Sequence, residues 1–130
     1  CIAANNTETE KTLFSLAKTI CPNIYQINEE QRKNLHIAAV FANNFSNYLF
    51  NIAEDICIRS EIDFKILLPL IRQTVRKLEL SKPSEAQTGP AIREDYGTIE
   101  KHLETLKNEA PEFLDLYQLM TNMIIQSKNK

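Results

Sequence analysis

The stretch NEEQRKNLHIAAVFANNFSN, residues 28–47, decides how this chain folds. Asn28 is a strong helix N-cap, and Gln31 stands three residues on, where it closes a reciprocal capping box. Neither proline nor glycine follows until Pro69, so the pattern predicts one helix from Asn28 to the region of Arg59. Placed at about 100° per residue, Leu35, Ala38, Phe41, Ala42, Phe45, Leu49, Ile52, Ala53 and Ile56 cover more than half of its circumference. Such a helix is expected to pack on more than one side and to be central. The remaining narrow stripe carries His36, Val40, Asn43, Asn44, Asn47 and Asn51.

Working outward, the same helical punctuation recurs. Thr7 with Glu10 reads as a capping box, and Leu13, Leu16, Ala17 and Ile20 trace one face of a helix that Pro22 ends. Asp63 is positioned to cap a helix from Phe64 to about Leu80, with Leu67, Leu68, Ile71, Val75 and Leu78 inward and Pro69 kinking its start. Asp95 caps a helix whose apolar face is Ile99, Leu103 and Leu106, with His102 at the edge of its core face. Pro111 opens a last helix with Phe113, Leu114, Tyr117, Met120, Met123 and Ile124 facing inward, before a polar tail, Gln126 to Lys130, that is expected to fray. Two short segments differ in kind. Cys1 to Ala4 reads as a buried strand and Asn23 to Ile27 as a second, a strand-helix-strand remnant whose sheet would lie upstream. The expected fold is mainly α, a helical bundle over residues 28–130, preceded by that remnant over residues 1–27.

Composition narrows the function. A net charge of -2 and no basic run give no reason to expect nucleic acid. The apolar stretches are interrupted well short of the ~20 residues of a membrane span. Cys1, Cys21 and Cys57 are odd in number and lack metal-ligand spacing, so they read as reduced thiols of a cytoplasmic protein. With only two histidines and no helical carboxylate pair beside either, a metal site is not expected. Two glycines cannot build a phosphate-cradling loop, so no self-sufficient active site or cofactor site is expected in this segment.

Two groups of residues carry ligand-type chemistry. Asparagine costs about 0.5 kcal/mol relative to alanine in a helix, so the five between Asn34 and Asn51 oppose helix formation unless their amides bind something. A solvated face is the plainer reading; the wide apolar arc favours a polar cleft, with Asn44 and Asn47 as substrate-binding candidates. His36, on the same stripe, is a candidate proton carrier, although a lone helical histidine is more often structural. The second group lies in SKPSEAQTGPAIRED, residues 81–95. There Gln87 and Thr88 offer hydrogen bonds, Gly89 permits close backbone approach, and Arg93 presents a fork suited to a carboxylate or phosphate. The alternative is a plain helix crossing with Arg93 in a surface ion pair.

Three motifs taken together, LHIAAVFANNFSN (35–47), LLPLI (67–71) and AQTGPAIRED (86–95), resemble the uncharacterised helical C-terminal domain of the bacterial Rossmann-like NADP oxidoreductase family. The resemblance runs in order over nearly the whole chain. It implies a missing N-terminal nucleotide-binding domain that holds NADP or NAD, with residues 1–27 as its last portion. It also implies a helical domain similar to those of 6-phosphogluconate dehydrogenase and ketopantoate reductase, which completes the cleft for a small anionic substrate and forms a homodimer. Relatives of that kind use a Lys-x-x-x-Asn helix motif; here Ala39, Val40 and Asn43 stand four residues before Asn43, Asn44 and Asn47, so the lysine is absent. That absence leaves a second expectation open, a non-catalytic nucleotide-sensing or oligomerisation module of the same fold.

Overall fold

Eight α-helical segments and three irregular helical turns make up the described chain. A computed structural model describes residues 2, 4, 6–21 and 23–128. In chain order α1 is Thr7–Ile20 and α2 is Glu29–Ala39; a π-helical turn follows at Val40–Phe45, then α3, Ser46–Arg59. A 3-10 turn at Phe64–Leu67 leads into α4, Leu68–Lys77. The one-turn helices α5, Pro83–Ala86, and α6, Pro90–Arg93, precede α7, Tyr96–Glu109. A 3-10 turn at Pro111–Phe113 opens α8, Leu114–Ser127. The mainly helical expectation holds.

The caps explain why the helices begin where they do. Asn28 Oδ1 accepts from the Gln31 amide at 2.8 Å, and Gln31 Oε1 accepts from the Asn28 amide at 2.8 Å, which closes the capping box. Asp63 accepts from the Lys65 amide at 2.9 Å, and Asp95 accepts from both the amide and the hydroxyl of Thr98, at 3.1 and 2.8 Å. The first helix starts one residue earlier than its capping box suggests. Asn6, not Thr7, is the N-cap, its side chain accepting from the Thr9 amide at 2.8 Å. Pro69 falls in the first turn of α4, and the residues before it wind as a 3-10 turn, which accommodates the missing amide.

The strand-helix-strand remnant is not formed: among the described residues there is no strand. What joins the two segments is one parallel bridge between Ile2 and Gln26, with the Ile2 amide donating to the Tyr25 carbonyl at 3.1 Å. A strand needs successive ladder bonds, and one isolated bridge does not supply them. Cys1 and Ala3 of the first expected strand, and Pro22 at the end of the first helix, lie outside the described residues, as do Asn129 and Lys130 of the tail.

The chain divides into two compact units, Cys1–Leu49 and Phe50–Lys130, and the division falls inside α3. In the second unit α6 packs on α7 and α8, and these two pack on each other. Ala91, Ile99, Ala110 and Thr121 are buried there, together with Ile52 and Cys57 of α3. The inward faces expected of α4, α7 and α8 follow the sequence pattern in part. Leu103, Leu106, Phe113, Leu114, Tyr117 and Ile124 are half-buried, while Val75, Leu78, Met120 and Met123 are exposed. The first unit buries no described residue. The first part of the long apolar arc, expected to be central, therefore stands open: Leu35, Phe41 and Phe45 are 50%, 62% and 49% exposed, whereas Ile52 further along the arc is buried.

Candidate functional site

Asparagine, histidine and aromatic residues meet around the π turn, and its winding decides which of them share a face. In an α-helix a four-residue step overshoots one turn by about 40°, so three such steps drift by about 120°. Ile37, Phe41, Phe45 and Leu49 follow such four-residue steps, as do His36, Val40, Asn44 and Tyr48, and also Asn43 and Asn47. A π turn bonds to the fifth residue, takes up about one extra residue, and so removes about 100° of the drift. The turn at Val40–Phe45 thereby straightens each series into a row. Phe41 and Phe45 stack edge to face with centroids 4.9 Å apart, as neighbours on one row should.

The single stripe of the α-helical wheel becomes two. His36 and Asn44 share a row, while Asn43 and Asn47 fall on the next, about 80–90° away by the same count. The His36 row runs between the apolar row and the Asn43–Asn47 row. Ser46 closes the turn: its hydroxyl donates to the Phe41 carbonyl at 3.3 Å, while its amide donates to the Asn43 carbonyl. The signal for this was present as a period of four rather than 3.6, and a fixed 100° wheel conceals it.

The second group lies in the other unit. Residues 81–95, read as a loop, contain two one-turn helices, each begun by a proline at its first turn. Gln87 sits between them and donates its amide to the Thr88 carbonyl at 3.1 Å, within the loop itself. Gly89 has φ +112° and ψ 177°, a conformation that side-chain-bearing residues rarely adopt, while nothing lies within 4 Å of where a Cβ would be. The glycine is required here by backbone geometry rather than by a crowding protein neighbour. Arg93 is exposed at the end of α6 and, among the described residues, is in no ion pair. Glu94 follows with φ +55°, and its carboxylate pairs with Lys128 at 3.4 Å. Asp95 is held below its ordinary carboxylate range, chiefly by the hydroxyl and amide of Thr98, with smaller contributions from Arg93 and Lys101.

Two further polar clusters escaped the sequence reading. Arg59 donates to the Glu109 carbonyl at 2.8 Å, to Asp55 at 2.7 Å and to Glu112, and lies over the Phe113 ring. His102, expected at a core edge, is exposed, and its Nδ1 shares a hydrogen bond with the Tyr117 hydroxyl at 2.8 Å. Long sequence separation hid both partnerships. In the first unit a shallow depression is lined by Thr7, Lys11, Phe14, Lys18 and Gln26, none of them among the expected site residues.

A dinucleotide cradle needs a glycine-bearing turn that opens a helix after a strand. Gly97 lies within α7 and Gly89 precedes a single helical turn, so these residues do not form one. Among the described residues no three histidine, cysteine or acidic side chains gather as metal ligands, and no helix is long and apolar enough to cross a membrane.

A family model described as "Domain of unknown function (DUF2520)" matches residues 1–124. A crystal structure from Bacteroides fragilis, described as a "putative NADP oxidoreductase", is similar at a TM-score of 0.87 and 39% identity. The similarity covers 95% of this chain and 48% of that one, so the chain spans about half the length of that protein. No curated protein matches.

Proposed function

The chain belongs to the DUF2520 family, and from that premise we propose that it is the helical, substrate-side part of an NAD(P)-dependent oxidoreductase. The observation that carries the reading is the 39% identity, at a TM-score of 0.87, to a protein named as an NADP oxidoreductase. That name favours NADP over NAD. The cofactor, which supplies or accepts a hydride when bound, is assigned to the remainder of the full-length protein, since these residues offer no cradle for it. Residues 1–27 would complete that nucleotide-binding domain, and residues 28–130 would form a helical domain similar to those of 6-phosphogluconate dehydrogenase and ketopantoate reductase.

In this reading His36 exchanges a proton with the substrate, while Asn44 and Asn47 orient it. Gln87 and Thr88 contribute hydrogen bonds, Gly89 sets the path of the loop, and Arg93 pairs with an anionic group. An exposed guanidinium that is in no ion pair among the described residues supports this role for Arg93. The protein is a cytoplasmic homodimer. The exposed row of Ile37, Phe41, Phe45 and Leu49 supports a partner subunit on that face, because apolar side chains in such a row gain by leaving water.

One observation favours a second reading. No lysine stands four residues before Asn43, Asn44 or Asn47, which suits a non-catalytic nucleotide-sensing or oligomerisation module of the same fold. The two separate in one experiment. The full-length protein is mixed with NADPH or NADP and a panel of 2-oxo acids, imines and 2-hydroxy acids, and nicotinamide absorbance is followed. Turnover of any member removes the second reading; NADPH binding without turnover removes the first.

A further inference from the structure

We infer that the π turn is a positioning device and that Tyr48 joins His36 and Asn44 as a third substrate-facing residue. The inference rests on the oxidoreductase reading and adds to it a residue, a latch and a substrate class. In a continuous α-helix Tyr48 would stand about 120° round from His36. The π turn at Val40–Phe45 brings it back to within about 20° of the His36 row, one turn beyond Asn44. Tyr48 is 57% exposed, and among the described residues its hydroxyl makes no hydrogen bond.

The chemistry of the row points to its ligand. Imidazole, carboxamide and phenol each donate and accept hydrogen bonds, and none carries a fixed charge. Such a row suits the oxygen or nitrogen of a carbonyl or imine, whose hydrogen-bonding needs alter as it is reduced. A charged end of the same molecule would find no counter-ion on these three residues, which leaves that task to another group. The substrate class is therefore a small oxo or imino compound, its carbonyl or imine directed at this row.

Ser46 is the positioning residue. Its hydroxyl takes the Phe41 carbonyl, the acceptor that the π winding would otherwise offer to the Ser46 amide, while that amide turns to Asn43. The hydroxyl therefore holds the exit of the turn, and with it the register of Tyr48.

The test uses the full-length protein with NADPH and a panel of small 2-oxo acids and cyclic imines. Tyr48→Phe should lower kcat about tenfold, the loss of one hydrogen bond made in the transition state, with NADPH affinity unchanged. Ser46→Ala should lower kcat similarly and speed amide hydrogen exchange at residues 43–46, and Ser46→Thr, which keeps the hydroxyl, should restore both. Wild-type kcat and KM in Tyr48→Phe and Ser46→Ala, in a protein that does turn over, overturn this inference and leave the oxidoreductase reading standing. Failure of Ser46→Thr to restore either readout removes Ser46 as the latch. If the wild-type protein binds NADPH but reduces nothing, the parent reading fails and this inference fails with it.

Discussion

Arg59 Nη1 donates to the Glu109 backbone carbonyl at 2.8 Å, across 50 residues of sequence. The same guanidinium meets Asp55 on its own helix and Glu112 beyond the end of α7. One side chain thus ties the end of α3 to the α7–α8 corner, where Ala110 is the most deeply buried of the core residues. Arg59→Ala should lower the melting temperature more than Lys33→Ala, which breaks only the exposed i,i+4 pair with Glu29. Arg59→Lys should recover only part of the loss, since a single ammonium cannot reproduce the fork. Equal melting temperatures for the two alanine variants would refute the tie.

Acid should weaken the same corner and the start of α7. Hydrogen bonding to Arg59 holds the Glu112 carboxyl below its ordinary value, and the Thr98 hydroxyl and amide do the same for Asp95. A carboxyl with a depressed folded pKa binds fewer protons folded than unfolded, so its stabilisation is present above the unfolded value and lost as pH falls through the folded one. Melting temperature should therefore hold from neutral pH down to the unfolded values of 4.5 and 3.8 and fall below them. Glu112→Gln should be less stable at pH 7 and show a shallower acid slope. An unchanged slope would place the acid response elsewhere.

The two glycines should respond in opposite directions. Gly89→Ala is opposed by backbone conformation alone, φ +112°, and should cost about 1–3 kcal/mol despite the open space beside it. Gly97→Ala lies in α7, where the new methyl would meet Asp95 Oδ1 at 4.0 Å, an ordinary contact, and should stabilise by roughly 0.4–1 kcal/mol. Urea unfolding of both variants checks this. A neutral Gly89→Ala would mean that the loop relaxes to negative φ.

Ile99→Ala should cost about 2–4 kcal/mol, because Ile99 is among the few buried side chains described in the second unit. Leu119→Ala, at an exposed position of α8, should stay within about 0.5 kcal/mol. Comparable losses at both positions would show that solution conditions cover a surface left open here.

Arg93→Ala should raise KM for an anionic substrate of the full-length protein about 10–100-fold with little change in kcat, the signature of a charge-assisted contact made equally in ground and transition states. A loss confined to kcat would assign Arg93 to the reacting centre instead. Phe41→Glu should shift the protein toward monomer in sedimentation, since it places a charge on the apolar row. A dimer of unchanged affinity would move the interface away from that row.

Local chemistry was enough to read the helices. Capping at Asn28, Asp63 and Asp95 depends on residues three or fewer apart, so the sequence fixes these starts whatever packs on them. The residue types of both candidate groups, from His36 and Asn44 to Gln87 and Arg93, were legible for the same reason. Strand formation at residues 1–4 and 23–27 was not, because a strand depends on neighbours that local propensity cannot supply.

What only the tertiary structure decided depends on distance and winding. Arg59 finding Glu109, and His102 finding Tyr117, require helices that sequence spacing does not bring together. The division of the asparagine stripe into two rows requires the π turn, a hydrogen-bonding choice that the four-residue spacing of the rows suits but does not by itself impose. Sequence by itself determined that this chain is helical and which polar groups it can offer; the winding at Val40–Phe45 decided which of those groups stand together, because one extra residue in a turn rotates everything beyond it by about 100°.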